Sequence, residues 1–342
     1  MTSMNALIFN GPRQVAYAAA ERPAAKPGHV VVRVRGCGIC GTDMHVYKGM
    51  PASWPVPGVR GHEIAGVIDS LGEGVDGLAA GDRVVVQPLV FCGRCSACRR
   101  GETNLCSNMY LIGGEVSGGF ADYVAAPATS VFRVPDGLAL EHAALAETLA
   151  TPVHALQAHF RGFVGSVVVL GAGAQGLLTL QLARLLGAKN VLVSDVAPTR
   201  LQLARALGAT HIVDARSTDV VAAAREMSGG EGVDLVVDAA GLAVNRQQTV
   251  SMLRAGGTGI FLALGPNEAP ISFGTLVPRE LHLHGTQCYT NADVARAIEL
   301  LASGDVAAAP LVDVMPLAEG PAAFETLATD PGKHIKIVLQ PA

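Results

Sequence analysis

The chain has little charge of either sign and no block of it. Charged residues are 16% of 342, the net charge is −4, and the longest basic run is Arg99-Arg100. A nucleic-acid surface is therefore not expected. The apolar stretches are of strand length and are broken by glycine, so no membrane-spanning helix is expected either. The opening MTSMNALIFNGPRQ has no basic segment followed by a long apolar run. That points away from export and toward a reducing, cytoplasmic setting. Internal repeats and low-complexity segments are missing too. Only seven cysteines occur, yet four of them fall between Cys92 and Cys106. In a reducing compartment such a cluster is more often a metal site than a pair of disulfides.

What is present is enough apolar sequence for a large core, with 40 glycines and 19 prolines to turn the chain. A length of 342 residues suggests two domains. HVVVRVRGCGIC, HEIAGVIDSLG and DRVVVQPLV are β-branched runs separated by turn residues, which predicts irregular, barrel-like β-structure over the first 140 residues. LEHAALAETLATPVHALQAHF has helical spacing, with Pro152 suited to a first helical turn. From Ser166 strands and helices alternate: VVVL, LLTLQLARLLG, VLVSD, TRLQLARALG, HIVD, DLVVDAAG, GTGIFLALG and LHLHGT. Continuous apolar strands between amphipathic helices predict a parallel sheet covered on both faces. VARAIELLASG and KHIKIVLQ add a last helix and strand.

GAGAQG sets Gly171, Gly173 and Gly176 directly after a strand and at the start of a helix, and Asp195 ends the next strand. In that context the motif predicts a dinucleotide site. Gly171 makes the turn, Gly173 admits the pyrophosphate, Gly176 packs helix on strand, and the helix N-terminus offers N–H groups to phosphate. Asp195 suits the ribose hydroxyls and would repel a 2′-phosphate, which favours NAD over NADP; Arg200 could stack on adenine or assist a phosphate.

CGICGTDMH (37–45) and GHEIAG (61–66) combine soft and hard metal ligands with glycines. Cys40, His62 and a carboxylate would suit a catalytic zinc that keeps one position open. Cys92, Cys95, Cys98 and Cys106 follow C-x2-C-x2-C-x7-C, which suits a closed four-thiolate zinc site. An iron–sulfur cluster can share the start of that pattern, but nothing else suggests electron transfer. Cys37 and Cys288 read as buried thiols. His282 and His284 share one strand face and read as core or interface histidines.

GHEIAGVIDSLGEGV (61–75), followed by GDRV at 81–84, resembles the signature of zinc-dependent medium-chain dehydrogenases. This is the superfamily of alcohol, sorbitol and threonine dehydrogenases. Gly61, His62, Glu63, Gly66, Gly72 and Val75 are in register, and the likeness runs from the first strand to KHIKIVL. It implies an α/β protein: a β-rich GroES-like catalytic domain (1–150) with a structural zinc lobe at about 88–110, a Rossmann doubly wound parallel-sheet domain (151–288), and a C-terminal return to the first domain (289–342).

The same resemblance implies Cys40 and His62 as catalytic zinc ligands, with Glu63 a direct ligand or an exchanging carboxylate. Glu147 stands where simple alcohol dehydrogenases carry cysteine and sorbitol-type enzymes carry Glu-Pro-Leu; here the run is Glu147-Thr148-Leu149. That places the chain with the polyol and threonine branch. Thr42 would take up the substrate's hydroxyl proton, His45 would relay it outward, and Asp43 would orient a ligand. Gln175, Leu264 and Gln287 complete the cofactor-binding set. Tyr47, Met50, Trp54 and Phe120 are candidates for the substrate pocket, and the cleft is expected at the carboxyl ends of the parallel strands. The expected activity is oxidation of a secondary alcohol (a polyol, vicinal diol or sugar alcohol) with NAD, using one catalytic and one structural zinc. A homotetramer, or a dimer, is expected. The alternatives are oxidation of an amino alcohol such as threonine, a metal-free reductase on the same scaffold, and a non-catalytic NAD-binding protein.

Overall fold

A computed structural model describes residues 2–50, 54–160, 162, 164–265 and 268–342. The chain forms two compact units. One comprises Met1–Thr148 with Thr290–Ala342, and the other is Leu149–Tyr289.

The first unit is built around the strand His29–Gly38. Its alternate valines, Val30, Val32 and Val34, are buried, and three strands pair with it. Glu63–Leu71 and Tyr123–Pro127 run antiparallel to it, and Lys336–Gln340 joins antiparallel at Cys37 and Gly38. Lys336–Gln340 in turn pairs in parallel with Val312–Pro316, so residues near the end of the chain extend a sheet begun near its start. The hairpin Ser3–Gly11 and Gln14–Glu21 turns at Pro12 and Arg13 and forms a second sheet with Gly58–Val59. Phe324, on the late helix Gly320–Thr329, sits in the middle of the core. Its ring lies 5.1 Å from Phe9, 5.7 Å from Phe120 and 5.3 Å from Tyr47, edge-on to the first two. Such pairs add to the area term because ring edges meet ring faces.

The second unit is a six-stranded parallel sheet. In space its order is His211–Asp214, Asn190–Asp195, Ser166–Leu170, Val233–Asp238, Leu253–Phe261, His282–Gly285. Numbered along the chain, that is 3-2-1-4-5-6, the doubly wound order. Val167–Leu170, Val191–Val193 and Leu235–Val237 are buried on both faces, which is why they read as unbroken apolar runs. The helices Ala174–Leu185 and Pro198–Ala206 end just before Gly187 and Gly208, whose φ values of 92° and 102° stop a right-handed helix.

Three expectations need correction. Pro152 does not open a helix; it lies inside Leu145–His159, whose start at Leu145 follows the short helix Leu140–Ala143. Proline has no N–H to give the carbonyl four residues back, and that residue, Thr148, is the last of the first unit's N-terminal part. Cys288 is half-buried rather than buried and has a φ of 46°, a conformation rare outside glycine. Of the core-or-interface reading of His284, only the core half falls, since the residue is not fully buried. It is half-buried on the sheet's end strand and stacks on His159 at 4.8 Å, while His282 beside it is exposed. Burial, with the neighbouring imidazoles, holds both stacked rings below the usual histidine pKa.

Replacing Phe324 with Ala should destabilise the first unit by about 3–5 kcal/mol, because a buried aromatic at the junction of three others leaves a void. Equilibrium urea unfolding monitored by signals from each unit checks this, and a loss under about 1 kcal/mol would contradict the assignment of Phe324 as the core's hub.

Candidate active site and zinc lobe

Where the strand His29–Gly38 ends, the chain passes through Cys40 into the helix Gly41–Tyr47. Asp43 caps that helix by accepting the Cys40 amide N–H at 3.0 Å, which fixes the thiol's backbone. The other Asp43 oxygen, Oδ1, is 3.7 Å from His62 Nδ1. Glu63 begins the neighbouring strand opposite Gly38. Its carboxylate lies so close over Gly38 that a Cβ there would sit 1.9 Å from Oε2. Glycine at 38 is therefore a requirement of this close approach. Together these elements bring ligand atoms of Cys40, His62 and Glu63 within 4.8 Å of one another.

Three buried atoms at this cluster have no hydrogen-bond partner: Asp43 Oδ1, His62 Nδ1 and Glu63 Oε2. An unpaired carboxylate oxygen beside a thiol and an imidazole is a costly thing to bury. It makes sense as a donor set for zinc, which takes sulfur, nitrogen and oxygen together. An Asp behind a histidine is the arrangement that orients a ligating imidazole through its other nitrogen. Burial raises the Asp43 pKa. Burial alone would lower that of His62, but Asp43, Cys40 and Glu147 outweigh it and hold the imidazole well above its usual range. The negative groups around His62 that favour its proton would favour a dication in that proton's place.

Glu147 stands apart from the three-residue group. It lies half-buried in the first turn of the helix Leu145–His159, close enough for its charge to act on His62. Thr42 and His45 are three residues apart on one helix, which places them on one face. Both are half-buried, and Thr42 Oγ1 is 3.7 Å from Cys40 Sγ. Cys37 is buried with its thiol pKa pushed well up by burial, in keeping with a packed, protonated side chain.

Of the pocket candidates, Tyr47 and Phe120 are packing residues. Both lie in the aromatic core, and the Tyr47 hydroxyl donates to Glu325 at 2.8 Å. Met50 and Trp54 instead line a cavity of about 220 Å³ together with Phe9, Val46 and Arg60; none of the zinc candidates lines it. Two residues of the cluster escape a reading of the sequence. One is Gly38. The other is Lys336, whose Nζ donates to Glu63 Oε1 at 2.5 Å and to the Ile39 carbonyl at 3.1 Å from a position that is 5% exposed. KHIKIVL signals a strand but gives no sign that its second lysine is buried.

The second cluster is Cys92, Cys95, Cys98 and Cys106, whose sulfurs also lie within 4.8 Å of one another; no disulfide joins any cysteine. Backbone amides turn toward these sulfurs: Cys92 N–H and Asn108 N–H both donate to Cys106 Sγ, at 3.3 and 3.4 Å. Hydrogen bonds from the backbone of Cys98 and Ser107 lower the Cys95 pKa to about 5, whereas burial and its sulfur neighbours raise Cys98 to about 12. Four thiols drawn this close together suit a tetrahedral cation. They leave no ligand position for substrate.

In the second unit the glycine loop follows Leu170. Gly171 has a φ of 98°, and a Cβ at Gly176 would sit 1.8 Å from the Gly171 carbonyl oxygen. Those two glycines answer to the protein's own packing. Gly173 does not: the nearest atom to a Cβ there is Arg200 Nη1 at 4.0 Å, so the space in front of it is open. It caps the helix Ala174–Leu185 without any side-chain acceptor, leaving the first-turn N–H groups of Ala174 and Gln175 to an incoming anion. Asp195 accepts N–H bonds from Ala172 at 2.7 Å, Val196 at 2.7 Å and Ala197 at 2.9 Å, which anchors it beside the loop. Leu264 and Gln287, both exposed, follow the carboxyl ends of their strands, as Gly171 and Asp195 do. The open cradle and the anchored carboxylate fit a dinucleotide. Among the described residues no helix is long and apolar enough to cross a membrane.

Comparison with known proteins gives the same picture. Residues 26–136 match the family described as alcohol dehydrogenase GroES-like domain, and residues 174–303 match the zinc-binding dehydrogenase family. The chain is 32% identical to sorbitol dehydrogenase of Bacillus subtilis over 99% of this chain and 98% of that protein. It is 34% identical to 2-dehydro-3-deoxy-L-galactonate 5-dehydrogenase of Pseudoalteromonas atlantica over 90% of each. A crystal structure of a zinc-binding dehydrogenase from Sinorhizobium meliloti bound to NADP superposes with a TM-score of 0.94 at 34% identity, covering 100% of both chains. With a GroES-like unit, a doubly wound unit and relatives matched along nearly its full length, the chain belongs to the zinc-dependent medium-chain alcohol dehydrogenase superfamily.

Proposed function

We propose that the chain oxidises a secondary hydroxyl of a polyol, vicinal diol or sugar alcohol to a ketone, passing hydride to NAD. The observation that carries this is the meeting of Cys40, His62 and Glu63 with Asp43 behind the imidazole. Bound there, zinc would supply Lewis acidity toward the substrate oxygen. The protein's own groups do the rest. Thr42 would accept the hydroxyl proton while giving up its own, and His45, on the same helical face, would pass a proton on toward solvent. Glu147 adds negative charge and keeps the site in the carboxylate-rich pattern of sorbitol-type enzymes. The four-cysteine lobe holds a second, structural zinc.

NAD is favoured over NADP because Asp195 brings a fixed negative charge to the edge of the cradle, where a 2′-phosphate would meet it. Arg200, near Gly173, is the group that would soften this preference. Sorbitol and sugar-acid dehydrogenases among the relatives support a polyhydroxylated substrate.

NAD reduction measured over a panel of polyols, vicinal diols, aldonic acids, threonine and simple secondary alcohols should give its highest kcat/KM within the polyhydroxylated group. Turnover should vanish when the catalytic metal is removed by chelation and return with added zinc. Full turnover in verified metal-free protein would point to the metal-free reductase class, and NADH binding without turnover on any alcohol would point to a binding protein. Asp195→Ser should lower the NAD-to-NADP ratio of kcat/KM by roughly tenfold or more, the scale of one close unscreened charge; an unchanged ratio would remove Asp195 from the cofactor assignment. Cys95→Ser should lower zinc content by one per chain and depress Tm, since structural zinc contributes about 10–16 kcal/mol in small peptides. A variant that keeps wild-type Tm while missing that zinc would contradict the structural role.

A further inference from the structure

We infer, on the dehydrogenase reading above, that the cavity beside Met50 and Trp54 is an anion subsite. Arg60 takes the carboxylate of a polyhydroxy acid there, while a hydroxyl further along the same molecule is oxidised.

Arg60 is only 2% exposed. A guanidinium has five N–H donors. Here Nη1 donates to the Gly114 carbonyl at 2.9 Å and Nη2 to the Pro55 carbonyl, both neutral acceptors, and Nε has no partner. Among the described residues no carboxylate pairs with it. Asp43 and Glu115 act on it only through space, and burial outweighs them to lower its pKa. Buried charges are ordinarily paired. A guanidinium kept out of water with two carbonyls and no counter-ion is a group that calls for one.

The counter-ion has a place to sit. Arg60 lines the cavity of about 220 Å³ and is the only charged residue that does; Phe9, Val46, Met50 and Trp54 are among its other walls. The Trp54 ring faces the guanidinium at 5.4 Å and is pinned against Gly114, where a Cβ would sit 2.9 Å from the ring. A whole small-molecule site has about 300–1,000 Å³, so this cavity suits one end of a ligand. A single cation with planar, forked donors suits a singly charged carboxylate better than a phosphate dianion.

Its position fixes the rest of the ligand. Thr42 and Val46 are four residues apart on the helix Gly41–Tyr47, so the proton acceptor and the cavity wall share one helical face, about 6 Å apart along the axis. Arg60 also stands two residues before His62. A molecule with its hydroxyl at Thr42 and its carboxylate in the cavity spans several carbons. That is the reach of an aldonic acid oxidised well away from its acid carbon, and not of a short 2-hydroxy acid.

An arginine that merely braced the Pro55 and Gly114 carbonyls would treat charged and neutral substrates alike, which separates the two roles. Trp54 is the chain's single tryptophan, so intrinsic fluorescence reports on the cavity without any turnover. Full-length wild type titrated with D-gluconate, D-galactonate and D-mannonate should show a saturable change in emission with at least one of them. Its Kd should be roughly tenfold or more below that of the matching alditol, the scale of a hydrogen bond to a charged group. The matching aldonamide, which keeps the shape and loses the charge, should bind like the alditol. In Arg60→Met the preference for acid over alditol should disappear, both in Trp54 emission and in the ratio of kcat/KM with NAD. No saturable change with any aldonate, equal binding of aldonate and aldonamide, or a variant that keeps the acid-to-alditol ratio would overturn the inference. If Arg60→Met does not fold, the wild-type comparison of acid with amide decides the matter. Tight aldonate binding with no NAD reduction by any acid or alditol would instead strike the dehydrogenase reading and leave the anion subsite standing.

Discussion

A carboxylate cannot be buried beside a thiol and an imidazole unless a cation is brought to it. In this protein the cation comes from the last strand of the chain, 273 positions after Glu63. Breaking a buried pair by removing one partner typically costs about 3–5 kcal/mol, because the other charge is left stranded. The architecture of the first unit follows from meeting that need. The chain departs after Thr148, completes a contiguous unit, and comes back at Thr290 to lay Lys336–Gln340 against Cys37 and Gly38. The same return delivers Phe324 to the aromatic core, so one crossing supplies both the counter-charge and the hub of the packing.

Both candidate sites are made by letting backbone come unusually close. At the metal cluster Gly38 gives way to a side chain, the Glu63 carboxylate; at the nucleotide loop Gly176 gives way to the Gly171 carbonyl. Gly173 is different, since nothing in the protein presses on it. Two glycines of the motif thus answer to the protein's own packing and the third faces open space, a distinction the motif's spacing does not carry.

The parallel-sheet unit was legible because its strands are buried on both faces and therefore apolar without interruption, and because glycines punctuate its helices. The clustering of the candidate metal residues was legible where neighbours in sequence are neighbours in space, as Cys40 and its capping residue Asp43 are, or where a dense motif marks them, as at His62 and Glu63. Lys336 was not, because burial of a lysine is decided by its remote partner and leaves no local trace. Tyr47 and Phe120 looked like pocket residues for the opposite reason. Tyr47 lies two residues after His45 and Phe120 is a large aromatic in a turn-rich stretch, but both rings pack inward onto Phe324. Glu147 lies outside the group of Cys40, His62 and Glu63, yet its charge acts on His62, so it remains a candidate for a ligand that binds directly or through a water.

The discontinuity of the first unit also orders events during synthesis. On the ribosome, residues 149–289 emerge as an uninterrupted set that carries all six strands of its sheet, while the strand His29–Gly38 can pair early with Glu63–Leu71 and Tyr123–Pro127 but meets Lys336–Gln340 only at the end. Until residue 336 has been made, Glu63 has no ammonium to meet and the three-ligand pocket cannot take its final form. The unit that carries Cys40, His62 and Glu63 is therefore complete only once the last strand has been made, whereas residues 149–289 by then already have all their sheet partners.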